Sequence, residues 1–308
     1  MRVWIPHEAG REYLPEQAQA DVYLGGDSEL PGDPAAVDFW VPPFLSSGNV
    51  VALAGRMPRL RAIQLLSAGA DAWVGRIPEG VTLCDARGVH DSSTSEWVVA
   101  AILASLRRFD HFARAQADHR WSYAEVTPTD ELAGKRVLII GSGSIGAALA
   151  ARLAPFEVSL THVARTARGG EHGVVHGVEE LPRLLPEADI VVVLVPLTDR
   201  TRGLIDAGFL AAMRDGALLV NAARGPVADT AALTKELGMG RIQAAVDVTD
   251  PEPLPADHPL WSAPGLLLTP HVAGSVRGLL PRAYRLAAAQ MRRLIAGEEL
   301  INQVEEGY

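Results

Sequence analysis

A single cysteine, Cys84, stands in a chain of 308 residues. No intrachain disulfide can form, a cysteine-rich zinc site is excluded, and a reducing compartment is the expectation. No apolar run approaches the roughly 18 residues of a membrane-spanning helix, and the opening MRVWIPHEAGREYLPEQ has too short an apolar stretch for a secretory signal. Cations are in deficit as well: 28 Lys and Arg against 37 Asp and Glu leave a formal charge of -9, which gives no general attraction to polyanions. These absences predict a soluble cytoplasmic protein with no metal site and no nucleic-acid or membrane partner.

What is present has the rhythm of α/β architecture, short apolar runs alternating with longer segments of helical period. At 308 residues two domains are the leading expectation. Strands are predicted at Val3–Ile5, Asp21–Leu24, Val37–Val41, Arg61–Leu66 and Val81–Cys84, enough for one small doubly wound domain. Ser93–Ala117 then reads as one long helix, with Trp97, Val98, Ala101, Ile102, Leu106 and Phe109 at helical spacing. A second series, "RVLIIG", "VSLTHVA", "DIVVVLV", "GALLVNA", "IQAAVDV" and "GLLLTPH", supplies the six strands of a dinucleotide-binding fold. Leu279–Ala296 is a closing helix with an apolar face through Leu280, Tyr284, Ala287, Ala288, Met291 and Leu294, and the polar stretch Tyr123–Asp130 reads as the main linker.

The sharpest local signal is "RVLIIGSGSIG", an apolar strand running into Gly141-x-Gly143-x-x-Gly146 and then a helix of small residues. Gly141 allows the tight turn, Gly143 admits a pyrophosphate to the backbone, and Gly146 lets helix and strand pack closely. Amides at the helix start then bind the diphosphate. The next strand ends in "LTHVARTARGG", where an NAD site carries Asp or Glu for the adenosine ribose. Here Ala164 and Arg165 occupy that place and Arg168 follows. Without the acid, repulsion of a 2'-phosphate is gone, and a guanidinium can grip it through charge-assisted forks. NADP(H) is therefore the expected cofactor, with NAD(H) second.

Three later strand ends carry ionisable groups: "VNAARGPVAD" with Arg224, "AAVDVTDPEPLP" with Asp247, Asp250 and Glu252, and "LLLTPHVAGS" with His271. A base, a carboxylate and a fixed cation beside a nicotinamide pocket suit carbonyl reduction. A protonated imidazole supplies the proton to the oxygen, and an arginine grips the substrate's carboxylate and polarises the carbonyl. A carboxylate hydrogen-bonded to the imidazole stabilises its charged form and orients it.

Taken together these segments resemble the D-isomer-specific 2-hydroxyacid dehydrogenases, relatives of phosphoglycerate dehydrogenase and glyoxylate/hydroxypyruvate reductase. The resemblance runs from "LLSAGADAW" and "PEGVTLCDARGVH" through "ELAGKRVLIIGSGSIG", "VVLVPLTDRTRGLI" and "NAARG" to "DVTDPEPLPADHPLW" and "TPHVAG". It implies a Rossmann cofactor domain, 93–275, inserted into a discontinuous flavodoxin-like substrate domain, 1–92 and 276–308, with the active site in the cleft between them. It also implies catalytic roles for Arg224, Glu252 and His271, with Arg224 and His271 touching substrate. Backbone binding of the substrate carboxylate by Ala68, Gly69 and Ala70 follows from the same resemblance. So do cofactor contacts from Ser144, Ile145, Pro196, Ala222, Ala223 and Gly274, a nicotinamide-amide contact from Asp247, and a homodimer. The implied reaction is hydride transfer between a nicotinamide dinucleotide and a 2-ketoacid or D-2-hydroxyacid. "SVRG" after "TPHVAG" and the missing ribose acid are the departures. Two alternatives stand beside this reading: a non-enzymatic, corepressor-like dinucleotide sensor on the same fold, and a methyltransferase whose glycine-rich turn holds S-adenosylmethionine.

Overall fold

A computed structural model describes residues 1–26, 28–44, 48–170 and 173–304. The chain divides into two compact units, one of residues 1–90 with 276–308, the other of residues 91–275. Each has its own parallel sheet.

The sheet of the first unit has five strands, β1 (Arg2–Ile5), β2 (Gln19–Val22), β3 (Phe39–Trp40), β4 (Ala62–Gln64) and β5 (Thr82–Cys84), in the order β2-β1-β3-β4-β5. Side chains alternate across a strand, and these apolar runs supply both faces. Val3, Ile5 and Phe39 enter one core cluster, whereas Trp4, Trp40 and Ile63 enter the other. The helix Leu279–Ala296 covers the first face with Ala283, Tyr284, Ala287, Met291 and Leu294. One buried polar residue lies on that helix: Gln290 donates to Gln64 Oε1 (3.0 Å) and the carbonyl of Ile301 (2.6 Å) and accepts from Ile301 N (3.0 Å). The chain after the helix is thereby fastened to the sheet, where Asp85 N donates to the Asn302 carbonyl at 3.0 Å.

Among the described residues of the second unit, eight strands replace the six expected. They are β6 (Arg136–Ile140), β7 (Ser159–Ala164), β8 (Arg168–Gly170), β9 (Gly173–Gly177), β10 (Ile190–Val193), β11 (Leu218–Asn221), β12 (Gln243–Val246) and β13 (Leu266–Leu268). Their order is β13-β12-β11-β10-β6-β7-β9-β8, parallel throughout except where β8 meets β9. The unforeseen pair is short and glycine-rich, with no apolar period to read. β9 exists because it extends the ladder of β7, pairing His162 with Val175 and Ala164 with Gly177. Alternation again builds two cores, Leu138, Ile140, Val191 and Val193 on one face, Val137, Ile139, Ile190 and Val192 on the other. The chain leaves β6 toward β7 and returns to β10 on its other side, so the carboxyl ends of β6 and β10 form the switch point where open α/β sheets bind ligands.

Two further expectations are corrected. Ser93–Ala117 is not one helix: Asp91–Leu106 ends, Arg108 adopts a left-handed conformation (φ 54°), and Phe109–Ala117 restarts with Phe109 58% exposed. Tertiary partners take over the helix end, since Asp130 N donates to the Leu106 carbonyl (3.1 Å) and Arg107 Nε to Thr129 Oγ1 (3.2 Å). Tyr123–Asp130 lies inside the second unit, its end held by these contacts, so that stretch does not link the units. The chain passes between them at 90–91 and 275–276.

Candidate active site

The glycine-rich turn follows β6 directly and opens the helix Ser144–Leu153. Gly141 has φ +116°, and a Cβ there would lie 2.6 Å from the Leu194 carbonyl oxygen; at Gly146 it would lie 2.2 Å from that of Gly141. Neither position tolerates a side chain. A Cβ on Gly143 meets nothing within 4 Å, which is the open approach a diphosphate requires in front of unsatisfied helix amides. The turn thus fits a dinucleotide. Ser144 and Ile145 form the first helical residues, and Ser144 Oγ donates to Asp91 Oδ1 at 2.9 Å. β7 ends at Ala164 with Arg165 exposed beyond it. Arg168 begins β8, and its Nη2 donates to the carbonyl of Ser142 at 3.3 Å, beside the turn itself. After β10, the Pro196 carbonyl accepts from Thr201 Oγ1 (2.6 Å), which also receives Thr198 N (2.8 Å). That loop is held by its own two threonines.

Arg224, Glu252 and His271 leave the carboxyl ends of β11, β12 and β13. At the end of β11, buried Asn221 accepts from Ala223 N at 3.0 Å and donates to the Arg224 carbonyl at 3.4 Å, while Ala222 N donates to Val193 (3.3 Å). Arg224 Nη1 donates to the Ala223 carbonyl at 2.9 Å. Gly225 lets this loop press against the next, since a Cβ there would lie 1.8 Å from the Thr249 carbonyl oxygen. Thr230 Oγ1 adds a 2.7 Å bond to the Asp250 carbonyl. Glu252 Oε1 lies 2.6 Å from His271 Nδ1. A carboxylate only accepts, so Nδ1 carries the proton and Nε2 is the nitrogen able to exchange one.

Asp247 has a task that sequence reasoning missed. It is 2% exposed, and Oδ1 accepts from Thr269 Oγ1 (2.6 Å) and Val272 N (2.8 Å), Oδ2 from Ala273 N (2.8 Å). Its carbonyl accepts from His271 N at 2.6 Å. The histidine is bracketed on both sides and held at φ +56°, a conformation a non-glycine residue keeps only when its surroundings over-determine it. The T in "TPH" was the available signal, a hydroxyl placed to meet the aspartate of the neighbouring strand. Gly274 lies half-buried just beyond this bracket.

Ala68, Gly69 and Ala70 belong to the first unit, four to six residues past β4. Ser67 Oγ donates to the Gly69 carbonyl (2.7 Å), and the Ala70 carbonyl accepts from Trp73 N (2.8 Å) and Val74 N (3.1 Å). Among the described residues no cluster of three His, Cys, Asp or Glu could hold a metal, and no helix is long and apolar enough to cross a membrane.

The family model for the NAD binding domain of D-isomer specific 2-hydroxyacid dehydrogenases matches residues 99–273, more than half of the chain. The chain belongs to this family. It is thus an α/β oxidoreductase of the 2-hydroxyacid dehydrogenase class. The dehydrogenase is 37% identical over 252 residues to a glyoxylate reductase of Thermofilum pendens, covering 78% of this chain and 74% of the relative. A D-isomer specific 2-hydroxyacid dehydrogenase of Xanthobacter autotrophicus Py2, solved with NADPH and MES, superposes with TM-score 0.85 at 33% identity over 100% of both chains. An NADPH-dependent glyoxylate/hydroxypyruvate reductase of Sinorhizobium meliloti, solved with NADP and sulfate, gives TM-score 0.86 at 26% identity, over 100% of this chain and 99% of that one.

Proposed function

We propose that this dehydrogenase is an NADP(H)-preferring 2-ketoacid reductase whose acid/base is His271. The observation that carries the reading is the 2.6 Å contact between Glu252 and His271 within the bracket of Asp247. In this reading Gly141–Gly146, with Ser144 and Ile145, hold the diphosphate, and the loops at Pro196, Ala222–Ala223 and Gly274 flank the rest of the dinucleotide. Arg165 and Arg168 take the 2'-phosphate; the 3.3 Å bond from Arg168 to Ser142 and the lack of an acid after β7 support this, as do the NADPH and NADP bound to the Xanthobacter and Sinorhizobium proteins. NAD(H) is the weaker alternative. The bound reduced dinucleotide supplies a hydride to the carbonyl carbon.

Arg224 binds the substrate carboxylate, with backbone amides of Ala68–Ala70 as further donors, and polarises the carbonyl. His271 delivers a proton from Nε2 to the carbonyl oxygen as charge develops there. Glu252 keeps Nδ1 protonated and balances the imidazolium. The unit of residues 91–275 then serves as the cofactor domain and the other as the substrate domain. A homodimer belongs to the same proposal, supported by the exposed aromatics Phe109, Trp121 and Tyr123, 58%, 97% and 68% exposed.

The test is a steady-state panel of glyoxylate, hydroxypyruvate and larger 2-ketoacids with both cofactors. His271→Ala should lower kcat by about 100-fold or more, and retention of wild-type kcat would remove its assigned role. Arg165→Ala should raise the KM for NADPH far more than that for NADH. Equal effects would return Arg165 to an ordinary surface charge.

A further inference from the structure

We infer that two adjacent residues at the junction of the units, His90 and Asp91, are positioning residues, one for each ligand. His90 closes the first unit and Asp91 opens the second. The inference rests on the proposal above that Ala68–Ala70 receive the 2-ketoacid carboxylate and that the turn at Ser144 receives the diphosphate.

His90 is 6% exposed, and its Nε2 lies 2.8 Å from the carbonyl oxygen of Leu66. A carbonyl only accepts, so this nitrogen carries the proton and the tautomer is set. Leu66 immediately precedes Ser67, whose own carbonyl accepts from Ala86 N at 2.9 Å. The downstream end of the loop is fixed by its own turn, through the bonds from Trp73 and Val74 to the Ala70 carbonyl. The upstream end has the bond from Ser67 Oγ to the Gly69 carbonyl within the loop and is tied, through Ala86 and His90, to the chain that follows β5. Phe44 lies against the imidazole, centroid to centroid 6.3 Å, and limits its rotation. With both ends of the loop held, its amides are preset for a carboxylate, which lowers the ordering cost of binding.

Asp91 performs the matching task one residue later. Its Oδ1 accepts from Ser144 Oγ at 2.9 Å, at the first residue of the helix whose start forms the anion site. A carboxylate beside a diphosphate site is electrostatically unfavourable, so a purely electrostatic design would omit it. What the carboxylate provides is a fixed acceptor: the Ser144 hydroxyl is committed, and the first turn of the helix is tied to the helix Asp91–Leu106. Two turns further along the helix Ser144–Leu153, the same two helices are joined again where Arg152 Nη2 donates to Ser92 Oγ at 2.9 Å.

The experiment compares variants that keep or lose each bond, reading kcat, both KM values and Tm on the full chain. His90→Gln retains an N–H for Leu66 and His90→Met does not; Asp91→Asn retains an acceptor for Ser144 and Asp91→Ala does not. His90→Met should raise the KM for the 2-ketoacid about threefold or more over His90→Gln, with the KM for NADPH unchanged. Asp91→Ala should raise the KM for NADPH about threefold or more over Asp91→Asn, with the ketoacid KM unchanged. Because Asn and Ala remove the same charge, their difference isolates the bond. A merely structural role would move both KM values together, or make the members of each pair alike, and either result overturns the inference. Should His90→Met not fold, His90→Leu, which also lacks a donor for Leu66, takes its place against His90→Gln. Failure of the wild type to reduce any 2-ketoacid would instead overturn the functional proposal beneath it.

Discussion

Replacing Gly143 and Gly146 by alanine, one at a time, separates the two physical demands that the phosphate turn places on glycine. At Gly146 the new Cβ would sit 2.2 Å from the carbonyl oxygen of Gly141, against an ordinary contact of 3.4–4 Å. The obstacle is backbone, so helix and strand must move apart by more than 1 Å. Overpacking of this kind costs about 1–3 kcal/mol, and at about 2–4 °C per kcal/mol for a domain of this size the Tm should fall by about 2–12 °C. Gly143 has φ -91° and ψ -164°, a backbone any residue adopts, and open space in front of it. Alanine there should leave Tm within about 2 °C, the small residue being its poorer capping tendency. On the proposed reading the methyl instead occupies the path of the diphosphate. Loss of one charge-assisted hydrogen bond, about 1.5–3 kcal/mol, should weaken NADPH binding by about 10- to 100-fold. Circular dichroism melts read the first quantity, and quenching of intrinsic tryptophan fluorescence by NADPH reads the second. Equal melting losses in the two variants, or wild-type affinity in Gly143→Ala, would refute the assignment of this turn.

Three other outcomes are expected. Asp247→Asn must turn an amide N–H toward an N–H or O–H donor of the His271 loop, so kcat should fall about 10-fold or more with little change in the KM for NADPH; a KM effect alone would favour a nicotinamide contact over the bracket. Burial works against ionisation of Asp189, but hydrogen bonds from the Arg136 side chain and backbone, with Arg214 nearby, hold its carboxyl below the ordinary range. A lowered folded-state pKa stabilises the fold above the unfolded value and loses that stabilisation as pH falls through the folded one. Asp189→Asn should therefore cost about 1–3 kcal/mol in denaturant titrations near neutrality and progressively less in acid, and a gap that widens on acidification would contradict this. Burial first, then the neighbouring Asp85 charge, pushes the Cys84 thiol up to about 12. The native protein should resist thiol reagents at mildly alkaline pH and react only when unfolded, whereas rapid native labelling would show that β5 opens.

Much of this was legible in residue order because its causes are local. The glycine spacing after β6 states a steric need in three residues, and the alternation of Val137, Leu138, Ile139 and Ile140 follows from a strand buried on both faces. Arg224, Glu252 and His271 could be named because each follows an apolar strand, and strand ends are where such sheets bind ligands. The break at Arg108 and the antiparallel pair β8–β9 escaped because neither has a periodic signal. One depends on Thr129 and Asp130 taking up a helix end, the other on an open edge of β7.

The boundary between the two kinds of information runs through Asp247. Its sequence context, "AAVDV", places a carboxylate at the end of a strand and no more. Only the side-by-side register of β12 and β13 brings it to Thr269, Val272 and Ala273, from which it holds His271 in a left-handed conformation. The sequence by itself determined which chemical groups are available and on which strand ends they stand, because strand and turn preferences act over a few residues. Their partners were decided by tertiary structure, because hydrogen bonds between neighbouring strands and loops join residues tens of positions apart.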